Sequence, residues 1–302
     1  MPSLIAHFLR GFAMGSADLV PGVSGGTVAL VLGIYRRLVL AIRTGAGALS
    51  ALVRFDFATM MDRLKKVEWA FFIPLVIGIL AAVAALSHLI ESLLENHPIR
   101  MAGLFFGLVA GSIVVAWRLI GRRDALRIGV LVATAAVTFW GLGFSAGTVD
   151  DPSWWMFLGG GALAICAMIL PGISGSFILL MLGMYQPVLS AVNDRNFVDL
   201  ALVLVGIVVG LASFSTLLNM LLERYPDTVL AALVGLMAGS LRVLWPWPDG
   251  TGGTSLAAPS GDVLIPVLLA AVGAAAVLLI TRREEAIEEE VEAAGEAAEN
   301  AP

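Results

Sequence analysis

Two short segments of the chain interrupt apolar sequence with a proline, glycines and hydroxyl side chains. The first reads DLVPGVSGGT, Asp18–Thr27, and the second reads MILPGISGSF, Met168–Phe177. Because proline lacks an N–H and clashes with the preceding turn, a helix ends before each Pro-Gly pair. Ser24 or Ser174 can then cap a new helix, whose first N–H groups are free to bind an anion. Both segments are therefore candidate anion-binding turns.

The predicted ligand contacts are glycines, which let a ligand approach the backbone, and hydroxyl groups, which donate hydrogen bonds. These residues are Ser24, Gly25, Gly26, Thr27, Ser174, Gly175 and Ser176, and the turn-forming residues are Pro21, Gly22, Pro171 and Gly172. The alternative is that each turn is only a tight hairpin tip whose serine caps a helix. The first turn is the more polar, because Asp18 and Thr27 align with apolar residues of the second, so we expect it to contact the ligand more.

Ionisable side chains within apolar sequence are candidates for proton coupling and for neutralising a bound anion. Asp18 can carry a proton, or it can accept hydrogen bonds from its own turn. His88 and Glu91 lie one helical turn apart and form either a proton relay or a polar pair near the external interface. The candidate counter-charges, each of which can instead extend to the membrane interface, are Arg10, Arg100, Arg118 and Arg242.

The residue types that enzymes and metal sites need are sparse. The three histidines and the single cysteine, Cys166, show no spacing typical of a catalytic or metal-binding site. We therefore expect no catalytic residue, no metal, no cofactor and no enzymatic activity.

The elements that position the turns are predicted membrane-spanning helices. Of the 302 residues, 59% are hydrophobic and 14% are charged, against about 25% charged in soluble domains. A run of about 20 apolar residues spans a bilayer. Six uninterrupted spans are predicted: Trp69–Leu94, Ile99–Ile120, Leu126–Phe144, Leu200–Leu222, Thr228–Trp245 and Val263–Ile280. The fold class is therefore an all-α integral membrane protein.

Two further apolar regions, Leu4–Ile42 and Trp154–Val192, contain the turns. The distribution of Lys and Arg requires each region to return to the side from which it entered, as a re-entrant hairpin or as two full spans. This topology puts 15 of the 18 basic residues, and both termini, on the cytoplasmic side of the membrane. Leu49–Trp69 predicts an amphipathic helix on that surface.

The chain also contains an internal repeat. An offset of 150 aligns Gly11–Ile42 with Gly161–Val192, and an offset of 128 aligns Leu93–Trp117 with Leu221–Trp245. The difference between the offsets is accounted for by the amphipathic segment, which the second half lacks. Each half is one broken hairpin followed by three spans, and because three is odd the second half enters the membrane inverted. Inverted repeats with broken helices are typical of secondary transporters.

The predicted organisation has three parts. Residues 1–148 form the first repeat, with its hairpin at 4–42, an amphipathic cytoplasmic insert at 43–69 and three spans. Residues 149–282 form the second, inverted repeat, and residues 283–302 form an acidic cytoplasmic tail.

The segments GSADLVPGVSGGT and ILPGISGS, with the flanking elements GLVAGS and GLMAGS, resemble the polyprenyl-phosphate transporter (PopT) family, catalogued as domain of unknown function 368. The resemblance covers about Leu4–Ile280. It implies a multispan prokaryotic plasma-membrane protein that carries undecaprenyl phosphate, or a related polyprenyl phosphate, from the outer to the cytoplasmic leaflet. The lipid carrier is thereby returned for cell-envelope synthesis.

This substrate agrees with the residues, because its phosphate suits the two turns and its prenyl chain suits a cavity that opens to the bilayer. The alternative is an ion-coupled secondary transporter of a small soluble anion, with a closed aqueous vestibule. The expected partners are the polyprenyl-phosphate lipid and membrane lipids, with H+ or Na+ as candidate coupling ions and no nucleic acid. The oligomeric state is left open, a homo-oligomer included.

Overall fold

The computed structural model describes residues 2–19, 23–144, 147–250 and 255–299. Every regular element within these ranges is a helix. The α-helices are α1 Pro2–Asp18, α2 Gly25–Val31, α3 Tyr35–Val53, α4 Phe57–Lys66, α5 Trp69–Asn96, α6 Pro98–Arg118, α7 Ala125–Gly141, α8 Trp154–Ile169, α9 Gly175–Met181, α10 Tyr185–Asn193, α11 Phe197–Arg224, α12 Pro226–Ser240 and α13 Leu264–Glu299. A 3-10 turn, Leu241–Leu244, extends α12.

The all-helical membrane fold predicted from the composition is confirmed. Within the described residues, five helices are long and apolar enough to cross a membrane: α5, α6, α11, α12 with its 3-10 extension, and the Leu264–Arg282 part of α13. The helices α7 and α8 are apolar but shorter, with 17 and 16 residues. The predicted span Leu126–Phe144, which corresponds to α7, is therefore not among the five. The helix α13 continues through the acidic segment to Glu299.

Each broken region is a helical hairpin with two breaks, of which only the first was predicted. The helices α1 and α8 end at Asp18 and Ile169, and the short helices that follow, α2 and α9, have seven residues each. A second break follows at Gly33 and Gly183, whose φ values of 68° and 71° suit glycine. Seven residues rise only about 10 Å, against a hydrocarbon core of about 30 Å. The helices α9 and α10 are bent by 109° at their break, the geometry of a re-entrant loop or of a broken span.

Glycines show the direction in which neighbouring helices run, because they let two backbones touch. A Cβ on Gly11 would overlap the backbone oxygen of Leu75, and Gly15 makes the equivalent contact one turn further along both helices. The helices α1 and α5 are therefore parallel. Contacts at Gly206 and Gly210 make α8 and α11 parallel in the same way. Each hairpin thus returns to the side from which it entered, as the charge pattern required.

The helices α6 and α12, which the repeat aligns with each other, run in opposite directions. The N–H of Gly121, just after α6, donates to Asp227 Oδ1 at 2.9 Å, at the start of α12. Near the other end, the rings of Phe106 and Trp245 lie 5.9 Å apart between centroids. Because equivalent helices are antiparallel, the two halves are inverted relative to each other, and the predicted inverted repeat is confirmed.

The two halves are also interlocked. The helix α6 lies along α13 of the other half, and its equivalent α12 lies along α7. A Cβ on Gly107 would overlap the backbone oxygen of Ala270, and a Cβ on Gly235, its repeat equivalent, would overlap that of Leu131. The repeats therefore share one core, and neither half packs alone.

The amphipathic segment is divided, so the prediction of one continuous helix over Leu49–Trp69 is wrong. The helix α3 ends at Val53, Phe55 adopts a positive φ of 57°, and α4 begins after Asp56. The Asp56 side chain accepts a hydrogen bond from the N–H of Thr59 at 3.0 Å. An aspartate in this position favours a new helix start over continuation of the old helix. The helix α4 contains no buried residue among those described, as expected of a surface element.

Candidate functional site

The first turn is held by Asp18 and Ser24. Ser24 caps α2, and its Oγ accepts a hydrogen bond from the N–H of Gly26 at 3.1 Å. Asp18 Oδ1 accepts a hydrogen bond from the N–H of Gly25 at 2.6 Å. Asp18 thus takes the hydrogen-bonding role that was one of its two predicted roles, and its function as a proton carrier stays a prediction. Two of the predicted turn-forming residues, Pro21 and Gly22, lie outside the described residues.

The second turn leaves carbonyl groups at the end of α8 available for hydrogen bonds. Pro171 has no N–H to donate and Gly172 has a φ of 87°, so the helix stops and its last carbonyls lack helical partners. The first turn packs against this helix end. Ser24 Oγ lies 3.3 Å from the carbonyl oxygen of Leu170 and 3.5 Å from that of Met168, and its single hydrogen is shared between these two acceptors.

Two further side chains connect the turns. The N–H of Gly172 donates to Thr27 Oγ1 at 2.8 Å, and the Tyr35 hydroxyl donates to the carbonyl oxygen of Ile169 at 3.1 Å. We call the hydrogen bonds of Ser24, Thr27 and Tyr35 to the second turn the turn–turn contact. The two turns, separated by about half the chain, therefore meet directly.

Tyr35 was not among the predicted site residues. The repeat contained a signal for it, because Tyr35 aligns with Tyr185 at the offset that aligns the two turns. The two tyrosines differ in environment: Tyr35 is 2% exposed and Tyr185 is 39% exposed. Only the tyrosine of the first half contributes to the turn–turn contact among the described hydrogen bonds.

The hydroxyl groups of the two turns lie in different environments. Ser24 and Thr27 are each 2% exposed. Ser174 is half-buried and Ser176 is exposed, and their Oγ atoms lie 2.8 Å apart. The predicted capping bond from the Ser174 side chain is absent from the described contacts, and this hydroxyl pairs with that of Ser176. In this conformation the accessible hydroxyls belong to the second turn.

The glycines of the turns make room for the protein's own atoms in this conformation. A Cβ on Gly26 would lie 3.0 Å from the carbonyl oxygen of Ile169, and one on Gly175 would lie 2.6 Å from that of Ala164. These glycines therefore allow the turns to pack closely. Ligand contact by Gly25, Gly26 and Gly175, and by the turn serines and Thr27, stays a prediction.

A cavity of about 360 Å³ adjoins the buried side of the first turn, between α1, α2, α5, α6 and α13. Its polar groups are the hydroxyls of Ser16, Thr27 and Ser112, and the rest of its lining is apolar, Val28 and Phe105 among it. The Ser16 and Ser112 hydroxyls donate to carbonyls of their own helices at 2.7 and 2.8 Å. Because few polar groups remain for a hydrated ion, the cavity suits hydrocarbon.

The candidate proton relay on α5 lies at the surface. His88 Nδ1 and Glu91 Oε2 are 3.8 Å apart, and their side chains are 100% and 67% exposed. This geometry matches the alternative of a polar pair, and proton coupling by these residues stays a prediction.

The candidate counter-charges are dispersed. Arg100 pairs with Asp262 at 3.1 Å. The Arg242 guanidinium lies 4.8 Å from the ring centroid of Phe139 and lines a separate cavity of about 430 Å³. Within the part of the chain that the structure describes, the cavity beside the first turn is lined by none of Arg10, Arg100, Arg118 and Arg242. Their role toward a headgroup stays a prediction.

Comparison with known proteins shows which family has this sequence. The family model described as VCA0040-like, undecaprenyl phosphate translocase-like, matches residues 14–257, which include both turns and most of the helices that hold them. The chain belongs to this family.

Two curated relatives cover most of the chain. It is 42% identical over 245 residues to a polyprenyl-phosphate transporter of Vibrio cholerae, a match that covers 81% of this chain and 79% of the relative. It is 31% identical over 257 residues to a polyprenyl-phosphate transporter of Staphylococcus aureus, covering 80% and 86%. No solved structure matches significantly. Both relatives are thus named as transporters and not as enzymes.

Proposed function

We propose that this member of the undecaprenyl phosphate translocase-like family transports polyprenyl phosphate, undecaprenyl phosphate being the expected form. The direction is from the outer to the cytoplasmic leaflet of the plasma membrane, for reuse of the carrier in cell-envelope synthesis. The names of the two relatives support the substrate, and the inverted repeat with broken helices supports alternating access. The observation that carries the proposal is that hydrogen-bond donors and an apolar cavity meet at Thr27.

The phosphate is bound by the two turns, Ser24–Thr27 and Ser174–Ser176, once they separate. The Ser24 hydroxyl and the N–H of Gly172 now donate to protein oxygens. If the halves move apart, both donors lose their partners, and each buried donor left unsatisfied costs about 1–3 kcal/mol. Phosphate oxygens are strong acceptors, so a bound headgroup stabilises the separated form by replacing those partners. The same replacement is reversible, which a carrier needs in order to release its substrate.

The prenyl chain occupies the apolar cavity beside the first turn and extends from it into the bilayer. Its apolar lining favours a lipid over the alternative substrate, a small soluble anion, which would need water or polar groups along its path. The basic residues near the helix ends favour cytoplasmic positions for both termini.

The decisive experiment reconstitutes the purified protein in vesicles and follows polyprenyl phosphate from leaflet to leaflet, with and without a pH gradient. We expect lipid movement that depends on the protein. Uptake of a soluble anion without movement of the lipid would contradict the proposed substrate.

The role of the turns is tested by the double variant Ser24→Ala, Thr27→Val. We expect binding of polyprenyl phosphate to weaken, since the separated first turn loses two hydrogen-bonding groups, and the easier separation of the turns offsets only part of that loss. The matched control is Thr44→Val, Ser92→Ala, which removes the same atoms at helix positions outside the turns. Equal binding by the two variants would reduce the first turn to a structural hairpin tip.

The role of the cavity is tested by Val28→Trp, which fills space next to Thr27. Transport of the long-chain lipid should fall, whereas Val132→Trp, at a position on α7 that is 57% exposed, should have no effect. Undiminished transport by Val28→Trp would place the prenyl chain elsewhere.

A further inference from the structure

The insert between the first hairpin and α5 forms a polar pocket. The pocket has a volume of about 290 Å³ and lies between α3, α4 and α11. Two arginines, Arg54 and Arg63, line it together with the hydroxyl-bearing residues Ser50, Thr59 and Thr216. The repeat equivalent of α3, α10, is followed directly by α11 and no helix corresponds to α4. The pocket is therefore an addition to the repeated transport fold.

The two arginines have charge available for an anion. Among the described residues, no carboxylate lies within ion-pair distance of Arg54 or Arg63. The acid in the pocket is Asp56, whose carboxylate is engaged by the N–H of Thr59 at the start of α4. The Arg63 guanidinium packs against Gly47, where a Cβ would overlap it. The glycine thus makes the space in which Arg63 turns toward α3.

The depth of the pocket along α11 is close to the level of lipid headgroups. The 28 residues of α11 extend about 42 Å, so about 6 Å lies beyond each face of a hydrocarbon core of about 30 Å. Thr216 precedes the end of α11 at Arg224 by about 12 Å, so it lies about 6 Å inside the hydrocarbon core. Arginine side chains can extend from that level toward the phosphates. Three exposed apolar side chains follow the same α3–α4 connection: Phe55 at 81%, Phe57 at 58% and Met61 at 49%.

From this combination we infer that the pocket binds the phosphate headgroup of an anionic phospholipid. Arg54 and Arg63 supply planar guanidinium groups, which pair with two oxygens of one phosphate. The Ser50 hydroxyl can donate to a remaining oxygen, whereas the hydroxyls of Thr59 and Thr216 bond to Asp56 and to the Ala212 carbonyl. Acyl chains cover the exposed aromatic side chains. A zwitterionic lipid fits less well, because its ammonium group would add a positive charge beside two arginines. Inorganic phosphate shares the headgroup chemistry but cannot cover the apolar surface.

The test measures lipid binding to the full-length protein by native mass spectrometry after titration with dioleoyl phosphatidylglycerol or dioleoyl phosphatidylcholine. We expect the wild type to prefer phosphatidylglycerol, and Arg54→Gln with Arg63→Gln to weaken its binding by on the order of tenfold. The control, Lys65→Gln with Lys66→Gln, removes the same charge from exposed positions of α4 outside the pocket and should keep the preference. Retained folding of both variants is checked by circular dichroism.

Three outcomes would overturn the inference. One is unchanged phosphatidylglycerol binding by the arginine variant, and another is an equal loss in the lysine control, which would indicate general surface charge. The third is displacement of the lipid by inorganic phosphate at equal concentration. Titration with polyprenyl phosphate separates this site from the transport site: the arginine variant should keep its affinity for that lipid, and a parallel loss would assign the pocket to the transport route.

Discussion

Replacing Thr27 by Val tests whether the turn–turn contact holds the two halves together. Valine has nearly the shape of threonine, so the substitution removes the oxygen that accepts from the N–H of Gly172 at 2.8 Å and changes little else. Thr27 is 2% exposed, so water does not readily replace that acceptor. The variant therefore weakens the contact in the closed conformation and leaves the separated conformation unchanged.

The magnitude follows from the environment of the bond. A buried N–H left without a partner costs about 1–3 kcal/mol, and a cost of about 2 kcal/mol changes an equilibrium by about 30-fold. Hydrogen–deuterium exchange reports this directly, since local opening sets the exchange rate. We expect peptides that cover Met168–Ser176 to exchange about 30-fold faster in Thr27→Val than in the wild type.

Two controls separate this effect from general loosening. Thr27→Ser keeps an acceptor oxygen and should restore most of the protection. Thr44→Val removes a hydroxyl that bonds only within its own helix, to Leu40, and should leave exchange at the second turn unchanged. If exchange at the second turn does not respond to Thr27→Val, the contact contributes no measurable stability and the reasoning is refuted.

Three other predictions concern packing, coupling and pH. Gly107→Ala should lower the melting temperature in detergent, because its Cβ would overlap the backbone of α13. The control Gly129→Ala meets no atom within 4 Å and should stabilise α7 by about 0.5–1 kcal/mol. Equal effects of the two substitutions would contradict the close contact between α6 and α13. Asp18→Asn keeps an acceptor for the N–H of the turn, so the fold should persist. Any dependence of reconstituted transport on the pH gradient should disappear. A dependence that persists would exclude Asp18 as the proton carrier. Hydrogen bonds from Thr59 lower the pKa of Asp56 from its ordinary value of 3.8. The Asp56 carboxylate therefore stabilises the start of α4 fully above pH 3.8, and this stabilisation is lost as the pH falls through the lower pKa of the folded state. Exchange at the first turn of α4 should rise over that range in the wild type and not in Asp56→Asn.

The positions of five of the six predicted spans and of the first helix breaks followed from local physics. Twenty-residue apolar runs have few alternatives to a membrane helix, and Pro171 stops α8 through its own missing N–H. The inversion followed from the count of spans in each half. The second breaks, at Gly33 and Gly183, were available in the same alignment, because these glycines are matched in the two copies. The division of the insert at Phe55 could not be predicted from the sequence, since it depends on a positive φ that phenylalanine seldom adopts.

The sequence by itself thus determined an all-helical membrane protein with two inverted, broken hairpins and a family resemblance that the comparisons confirm. Only the tertiary structure decided which polar groups satisfy one another. The partners of Ser24, Thr27 and Tyr35 lie 134 to 146 residues away along the chain. A buried donor or acceptor bonds to whatever the packing of distant helices brings near it, and no local pattern encodes that choice. For the same reason the first turn, which has more polar side chains, is the buried one, and the accessible hydroxyls belong to Ser174 and Ser176.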